Sequence, residues 1–476
     1  MLTVASTAVS AGVAGTAVHT ATRYDDERFF LQLRRAEYSR LDTSSHAYLD
    51  FTGSALYAES QIRCHADALR TGLFGNPHSE SEPSIRSTDA IERARAAVLH
   101  FVGGRDEEHV VVFTANTTAA IKLVAESFPF GPDQPLVLAA DNHNSMNGVR
   151  EYARRAGAPV QYVPLDDELR LDDPLRYLTN QNRRSGGLFG FPAQSNFSGV
   201  KHALSLVADA RMRGWSVLLD AAAYLPTNPF RLADIPADFV VMSLYKICGY
   251  PTGVGVLVAR RDSLVRFVRP WFAGGTVEYA SVQHGTHLLR ERGLGAAAFE
   301  DGTPSFLSIG AVEAGLDGLG NIGMERINNR VTALTSYMVE RLRELQHDDG
   351  TSLVEIHGPS NGRERGATVA FNVRKRDGRY VPYSSVELRA RSAGVALRGG
   401  CFCNPGAAEA AFGFPGEATA RCLKIAAEEG FSIPRLSECL GPDIPVGAVR
   451  ASLGIPSSYG DIDRAIDVVG SYRDDP

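Results

Sequence analysis

Two cysteines lie one residue apart in the segment Arg398–Ala407, which reads RGGCFCNPGA. Cys401 and Cys403 stand among glycines and a proline, residue types that favour a mobile loop. A thiol on such a loop suits a nucleophile that reaches a substrate and then an acceptor. Half of a zinc site, a strained disulfide and buried inert thiols stay open as alternatives. We find no second closely spaced cysteine pair or histidine cluster, so no metal site is predicted.

An acidic residue and a lysine each follow an apolar run that is typical of a buried strand. Asp220 ends the run Val217–Asp220, and Lys246 ends Ser243–Lys246. Ligands of open parallel sheets gather at the carboxyl ends of strands, and apolar surroundings lower the pKa of a lysine toward that of a nucleophile. Taken singly, Asp220 is also compatible with a helix cap or a surface turn, and Lys246 with a surface lysine.

Together these two residues match the needs of pyridoxal phosphate. This cofactor forms a Schiff base with a lysine and places its ring nitrogen beside a carboxylate. Its phosphate suits the N-terminus of a helix, and Thr114–Thr118 follows a strand and opens a helical run. An ordinary threonine helix cap is the alternative for that segment. The chain has only five lysines, and arginine forms no ordinary Schiff base.

The elements that must position these residues alternate between strands and helices from about residue 109 to residue 260. This alternation is typical of βαβ units and a mostly parallel sheet. The predicted fold class is therefore α/β, with a large domain built on a mostly parallel seven-stranded sheet and a smaller α+β C-terminal domain. The predicted strands are Val110–Thr114, Leu136–Ala140, Gln161–Pro164, Gly187–Phe191, Val217–Asp220, Phe239–Ser243 and Val254–Ala259.

A chain of 476 residues is long enough for two domains. We predict a loose N-terminal extension over residues 1–23 and a segment over residues 24–70 that packs with the small domain. The large cofactor-binding domain is predicted over residues 71–330. The small domain, which carries the cysteine loop, is predicted over residues 331–476.

Composition excludes several classes of protein. The net charge is −6, there is no dense basic tract, and no apolar run approaches the length of a membrane span, so neither nucleic acid nor a membrane is a predicted partner. The first residues lack the charged start and apolar centre of a secretion signal. Six cysteines are too few for a disulfide framework in so long a chain, which favours a reducing cytoplasm and free thiols.

Ten short stretches, in order along the chain, give the sequence a family resemblance. The chain resembles the class V aminotransferase group of fold-type I pyridoxal phosphate enzymes, within it the cysteine desulfurases, and most closely the N-terminal domain of molybdenum cofactor sulfurases. The matching stretches are Phe74–Ser79, Thr114–Thr118, Asp141–His143, Phe191–Gly199, Asp220–Ala222, Ser243–Lys246, Gly274–Thr276, Phe299–Thr303, Arg398–Ala407 and Val449–Ser452.

The resemblance implies a role for each cofactor-binding residue. Lys246 would carry the cofactor, Asp220 would pair with the ring nitrogen, His143 would stack on the ring and shuttle protons, and Asn196 would meet the ring hydroxyl. His143 as a turn histidine and Asn196 as a turn former remain alternatives. A homodimer is implied because Thr276 would reach the phosphate of the partner subunit. The residues implied to bind phosphate within the subunit are Thr117, Thr118, Ser243 and Tyr245.

The resemblance also implies the reaction. Cys403 would attack the sulfur of the substrate L-cysteine, keep it as a persulfide and pass it to an acceptor while alanine leaves. Arg450 would bind the substrate carboxylate, and Arg398 would assist it or lower the pKa of the thiol, unless Arg398 is an ordinary loop salt-bridge residue. The role of Cys401 stays open between assisting, relaying sulfur and packing.

Two departures from the family pattern limit what the resemblance implies. A glutamine that many cysteine desulfurases carry three residues after the aspartate is Ala223 here, and a third cysteine of the relatives is replaced by Ala407–Ala408. The acceptor, including molybdenum cofactor, is therefore left open. A lyase, aminotransferase or epimerase acting on another amino acid is the alternative enzyme, and a catalytically silent scaffold is the alternative from another class.

Overall fold

The computed structural model describes residues 26–179, 186–268, 274–290, 295–359, 364–441 and 443–473. The N-terminal part, residues 26–101, precedes the main sheet and packs against it. Apolar side chains of this part, including Phe30, Leu41 and Leu49, are buried in the main core. Its elements are the helical residues 26–37 (α1), α2 (Arg40–Thr43), β1 (Ala47–Tyr48), α3 (Glu59–Thr71) and α4 (Glu82–Phe101).

A seven-stranded mixed sheet forms the centre of the large lobe. The strands lie in the order β2, β8, β7, β6, β5, β3, β4 across the sheet. All neighbours are parallel except at β8, which is antiparallel to both β2 and β7. The strands are β2 (His109–Thr114), β3 (Leu136–Ala139), β4 (Val160–Val163), β5 (Leu188–Pro192), β6 (Ser216–Asp220), β7 (Phe239–Ser243) and β8 (Gly255–Arg260).

Helices cover both faces of this sheet, so the strands are apolar on both sides. In β2, Val111 and Phe113 belong to one apolar cluster, whereas Val110 and Val112 belong to the cluster on the opposite face. Burial of each such side chain contributes about 1.5–3 kcal/mol. The helices of this region are α5 (Thr117–Ser127), α6 (Asn144–Asn147), α7 (Val149–Arg155), α8 (Ser205–Met212), α9 (Leu244–Ile247) and α10 (Arg261–Leu264), with a 3₁₀ turn at Pro174–Arg176.

A short antiparallel hairpin follows the sheet and leads to the long helices. Its two strands pair only with each other, and the Tyr279 and Leu288 side chains are exposed on it. The elements are β9 (Val277–Ser281), β10 (Thr286–Leu289), a 3₁₀ turn at Ala296–Ala298, α11 (Phe306–Ile309), α12 (Val312–Ile322) and α13 (Met324–Arg343).

The small lobe is a four-stranded antiparallel sheet with helices. The order is β11, β12, β15, β14, and β13 pairs in parallel with β1, which ties the N-terminal part to this lobe. The elements are β11 (Val354–His357), β12 (Thr368–Val373), α14 (Tyr383–Ser392), β13 (Val395–Ala396), β14 (Arg398–Gly400), α15 (Pro405–Phe412), α16 (Gly416–Glu429), α17 (Ile433–Leu440), β15 (Ala448–Ser452) and α18 (Tyr459–Gly470).

The prediction that all thiols are free is wrong for one pair. Cys422 on α16 and Cys439 on α17 form a disulfide. The two helices pack against each other, and this packing brings the two Cα atoms to 5.8 Å, within the range that a disulfide needs. Spacing along the chain gives no sign of that proximity. Cys64, Cys248, Cys401 and Cys403 remain free.

The predicted fold class is confirmed, and all seven predicted strands of the large sheet are present with ends that shift by one residue at most. The antiparallel strand β8 makes the sheet mixed, as "mostly parallel" allows. In the residues that the structure describes, no helix combines the length and the apolar character needed to cross a membrane.

Candidate active site

Asp220 and Lys246 lie at the carboxyl ends of two neighbouring parallel strands. Asp220 is the last residue of β6, and Lys246 lies in the short helix α9 that follows β7 directly. The Asp220 carboxylate is buried, and its Oδ1 accepts a hydrogen bond of 3.0 Å from the backbone N–H of Ala222. The parallel register therefore delivers an amine and a carboxylate to one edge of the sheet.

The amine of Lys246 is tuned by its surroundings. Burial lowers its pKa; the charge of Asp220 opposes this shift, while Arg450 and Arg398 reinforce it. Lys246 also borders a largely apolar cavity of about 360 Å³ that reaches Phe51 and Leu453. A lysine in such surroundings gives up its proton more readily, as a nucleophilic or basic amine must.

Hydroxyl groups and a helix N-terminus converge beside this pair. Thr117 and Thr118 open α5, whose cap Asn116 accepts a hydrogen bond of 2.9 Å from a backbone N–H of the first turn. The Thr117 Oγ1 is hydrogen-bonded to the Ser243 Oγ, and the Thr118 Oγ1 lies 2.7 Å from the Ser145 Oγ. The first backbone N–H groups of a helix and these hydroxyls together suit an oxyanion such as a phosphate.

Close backbone contact fixes the position of this helix start. Gly255 in β8 lies against the backbone of Asn116, and a Cβ atom added at Gly255 would come within 2.1 Å of the Asn116 carbonyl carbon. Only glycine permits this approach without a shift of the helix. The strand β8 thus supports the anion cradle that faces Lys246.

His143 lines a polar cavity together with Asp220 and Lys246, and its ring is neutral. It caps α6, and its Nδ1 accepts a hydrogen bond of 3.2 Å from the backbone N–H of Ser145. Burial lowers the pKa of His143, with the charge of Asp220 opposing and those of Lys246 and Arg450 adding to the shift. Since Nδ1 is an acceptor, the proton of the neutral ring lies on Nε2.

Eight of the nine predicted cofactor residues line one polar cavity, and Thr276, which is buried elsewhere, does not. The cavity combines an amine, a carboxylate, a neutral ring and an anion cradle, so the residues present fit pyridoxal phosphate. Gln194 and Ser145, which the sequence did not single out, also line it. The eight predicted residues are Thr117, Thr118, His143, Asn196, Asp220, Ser243, Tyr245 and Lys246.

The cysteine turn lies beside this cavity. Cys403 is exposed, and Asn196, which lines the cavity, donates a hydrogen bond to the carbonyl of the preceding residue Phe402. Cys401 is half-buried, its Sγ donates a hydrogen bond of 3.2 Å to the Val446 carbonyl, and burial raises its pKa to about 11. The two thiols therefore differ in access, and Cys403 is the one that a substrate can reach.

Both predicted substrate-binding arginines share one carboxylate that the sequence did not single out. The Asp50 Oδ1 accepts hydrogen bonds of 3.0 Å from the Arg398 Nε and from the Arg450 Nη2. The Arg450 Nη1 donates a hydrogen bond of 2.9 Å to the Asn196 carbonyl, and its guanidinium lies 4.7 Å from the centre of the Phe402 ring. Two cations and one anion leave a net positive charge for a substrate carboxylate.

The Asn196 side chain lines the cavity and also contacts the cysteine turn. Its Nδ2 donates a hydrogen bond of 2.7 Å to the Phe402 carbonyl, and its Oδ1 accepts one of 2.9 Å from the Asn404 Nδ2. Asn404 was not predicted as a site residue. An asparagine followed by proline is a typical helix start, and this signal in the sequence could have drawn attention to Asn404.

Comparison with known proteins gives consistent relatives. A family model described as aminotransferase class-V matches residues 47–464. A molybdenum cofactor sulfurase of Solanum lycopersicum is 35% identical over 92% of this chain and 57% of its own length. One of Arabidopsis thaliana is 34% identical over 95% of this chain and 59% of its own length. The chain thus spans about 57 to 59% of these curated relatives.

Solved structures are also similar. An apo cysteine desulfurase from Thermococcus onnurineus NA1 matches with a TM-score of 0.73 and 25% identity, over 92% of this chain and 97% of that one. The cysteine desulfurase CsdA from Escherichia coli matches with a TM-score of 0.72 and 20% identity, over 93% of this chain and 97% of that one, which shows a shared fold.

Proposed function

This chain belongs to the aminotransferase class-V family, which confirms the resemblance found in the sequence, and we propose that it is a pyridoxal phosphate-dependent cysteine desulfurase of the molybdenum cofactor sulfurase type. It takes sulfur from L-cysteine as a persulfide on Cys403, releases alanine and passes the sulfur to an acceptor. The observation that supports this proposal most is an exposed thiol beside the cavity that holds Lys246 and Asp220.

The cavity residues divide the work of holding the cofactor. When bound, pyridoxal phosphate draws electrons from the Cα atom of an amino acid, which makes the Cα proton labile. Lys246 would supply the amine for the covalent attachment, and the buried carboxylate of Asp220 would keep the ring nitrogen protonated. The α5 N-terminus and the hydroxyls of Thr117, Thr118 and Ser243 receive the phosphate.

Lys246 and His143 move the protons. The lowered pKa of Lys246 leaves a fraction of unprotonated amine that can take the Cα proton of the substrate. The neutral ring of His143 lines the cavity, carries its proton on Nε2 and can donate or return a proton. Both residues line the same cavity.

Cys403 performs the sulfur step. Its thiolate attacks the sulfur of the substrate, so a new S–S bond forms and the Cβ–S bond breaks. The electron pair of the broken bond goes to Cβ, which takes a proton, and alanine leaves. No external oxidant is needed, because the carbon is reduced as the sulfur is oxidised. The outer sulfur of the persulfide then goes to the acceptor.

The substrate carboxylate is received by Arg450 and Arg398. Asp50 holds both guanidinium groups in place, and Arg398 is the more exposed of the two. Planar guanidinium groups bind a carboxylate through parallel N–H donors, which fixes the orientation of the amino acid. A fixed carboxylate and a fixed Cα atom direct the substrate side chain toward Cys403.

Three finer assignments stay predictions. A homodimer stays a prediction, and the Thr276 side chain, which was implied to reach the phosphate of the partner subunit, is buried within its own chain. The cytoplasmic location also stays a prediction, and the disulfide between Cys422 and Cys439 removes one of its supports. The sulfur acceptor is a small molecule or a protein; the curated relatives extend well beyond the length that this chain covers.

Mass analysis after incubation with L-cysteine tests the proposal. We expect one added sulfur atom on the peptide that contains Cys403 and alanine in proportion to it. The Cys403→Ala protein should still bind the cofactor, seen by its visible absorbance, and form no persulfide. If Cys403→Ala produces alanine at the wild-type rate, the proposed step on Cys403 is wrong. Pyruvate and sulfide in place of alanine would instead indicate a lyase, and a sulfur-containing keto acid would indicate an aminotransferase.

A further inference from the structure

Cys403 lies in a backbone conformation that non-glycine residues avoid. Phe402 and Cys403 both have a φ of +55°, in the left-handed region, one directly after the other. Side chains with a Cβ atom clash with the following backbone in this region, so two in succession persist only where surrounding contacts hold them. The turn therefore requires a support outside itself.

Hydrogen bonds supply that support at three successive carbonyls. The Cys401 carbonyl accepts a bond of 2.9 Å from the Asn404 backbone N–H, and the Cys403 carbonyl accepts one of 2.7 Å from the Asn144 backbone N–H. The Phe402 carbonyl between them accepts the bond of 2.7 Å from the Asn196 side chain. This pattern holds a turn in place, whereas the glycines around it had predicted a mobile loop.

The fully buried side chain of Asn404 connects these supports. Its Nδ2 donates to the Asp141 carbonyl at 2.6 Å and to the Asn196 Oδ1 at 2.9 Å, while its Oδ1 accepts from the Ala407 backbone N–H at 3.1 Å. Because the Asn196 Oδ1 is occupied by Asn404, its Nδ2 must face the Phe402 carbonyl. Asn404 thus orients the amide that holds the turn.

We propose that Asn404 is a positioning residue that, through Asn196, holds Cys403 in a preformed orientation beside the cofactor cavity. The inference rests on the proposed function and deepens it: the thiol is presented on a fixed turn, and the substrate sulfur is brought to it. Asn196 lines the cofactor cavity as well, so one amide joins the cavity wall to the nucleophile.

The variant Asn404→Ser tests this role. Serine is an equally good helix cap, so α15 keeps its start, but its short hydroxyl does not reach the Asp141 carbonyl or Asn196. We expect the rate of persulfide formation on Cys403 to fall on the order of 100-fold, the loss typical of a displaced reacting group. Cofactor absorbance should be unchanged. Asn404→Asp, which keeps the shape and the cap but loses both donors, should behave in the same way.

A second readout separates positioning from general damage. Exchange of the Cα proton of L-alanine for solvent deuterium uses Lys246 and needs no thiol. Asn404→Ser should keep the wild-type exchange rate while its persulfide rate falls. Ser432→Ala serves as a matched control, because Ser432 caps α17 in the same way with no contact to the turn. It should leave both rates unchanged.

The outcomes distinguish this inference from the proposed function. If the wild-type protein exchanges the alanine proton but forms no persulfide, the proposed function fails. If the wild-type protein forms persulfide and either folded Asn404 variant matches its rate, the positioning role is wrong. Should both variants fail to fold, amide hydrogen exchange of the wild-type protein decides: slow exchange at Asn144 and Asn404 supports a fixed turn, and fast exchange overturns it.

Discussion

In the proposed cofactor cavity, Asp220 ends a parallel strand and Lys246 lies just after one, whereas Cys403 lies in a turn with no repeating hydrogen-bond pattern. The strands are held by apolar cores on both faces of the sheet. The turn is held by three hydrogen bonds from asparagines to its carbonyls, against the cost of two left-handed residues, roughly 1–2 kcal/mol each. The large sheet therefore determines the positions of the cavity residues, and individual hydrogen bonds determine the conformation of the turn.

This difference predicts different failures. A substitution in the cavity removes a chemical group but leaves the surrounding sheet intact. The fold should therefore survive, while transfer of the substrate Cα proton stops. A substitution in the support of the turn leaves the proton steps intact and affects only sulfur transfer. The residues that join the two regions, such as Asp50 and Asn196, should affect both.

The largest effect is expected for Lys246→Ala. Removing the amine should reduce alanine formation by at least about 10³-fold, because the covalent attachment and the proton acceptor are lost together. Reduction with borohydride should then label no peptide that contains residue 246. Lys424→Ala, an exposed lysine on α16, is the control and should keep wild-type turnover. Wild-type turnover in Lys246→Ala would show that the reaction does not depend on the amine in the cavity.

The next effect is on stability, at the joint between the two regions. Asp50→Asn leaves the buried Arg450 without its carboxylate partner, and an unpaired buried cation costs roughly 3 kcal/mol. We expect urea unfolding to show a loss of that size. Asp42→Asn, which breaks a half-exposed pair with Arg34, should give a much smaller loss. Equal losses in the two variants would show that the shared carboxylate does not stabilise the joint.

A smaller effect is expected from pH. Burial lowers the pKa of His109, His143 and His357 in the folded chain. Below about pH 6.5 the unfolded chain binds protons that these folded rings exclude, so the free energy of unfolding falls by up to about 1.4 kcal/mol per ring and pH unit. Stability should therefore rise with pH through this window.

Urea unfolding at several pH values measures this dependence, and His143→Gln should reduce its slope if the cavity contributes. A stability that stays constant between about pH 7.5 and about pH 5.5 would contradict the buried neutral rings. If only a substitution of His357 reduced the pH dependence of the free energy of unfolding, the effect would belong to the small lobe.

The smallest effect is expected for Cys401→Ser. At about pH 8 a thiol with a pKa of about 11 is ionised to roughly one part in a thousand, so Cys401 is a weak nucleophile. Persulfide formation on Cys403 should change less than about twofold. Alkylation followed by mass analysis should modify Cys403 well before Cys401. A large loss of sulfur transfer in Cys401→Ser would show that both thiols of the turn act together.

The sequence predicted the regular part of the molecule well. All seven strands of the large sheet were found because apolar runs bounded by turn residues identify buried strands, and Asp220 and Lys246 were found because they end such runs. Their proximity follows from parallel pairing alone. The other six predicted residues that line the cavity, Thr117, Thr118, His143, Asn196, Ser243 and Tyr245, were implied by the family resemblance and not by the strand pattern.

The sequence did not predict contacts between distant segments that lack a periodic signal. Asp50 is 348 residues from Arg398 and 400 from Arg450, and the support of the turn joins Asn196 to Phe402 across 206 residues. The Cys422–Cys439 disulfide depends on the packing of α16 against α17. Each requires the folded arrangement, and no spacing along the chain encodes it.

The bonded pair on α16 and α17 affects how sulfur transfer must be assayed. A dithiol such as dithiothreitol removes sulfur from a persulfide, but it also reduces disulfides. Turnover measured with it therefore belongs to a protein in which the bond between Cys422 and Cys439 is reduced. Cyanide takes the outer sulfur as thiocyanate without the reducing power of a dithiol. Rates obtained with dithiothreitol therefore describe the protein with this disulfide reduced, and rates obtained with cyanide describe the protein with the disulfide intact.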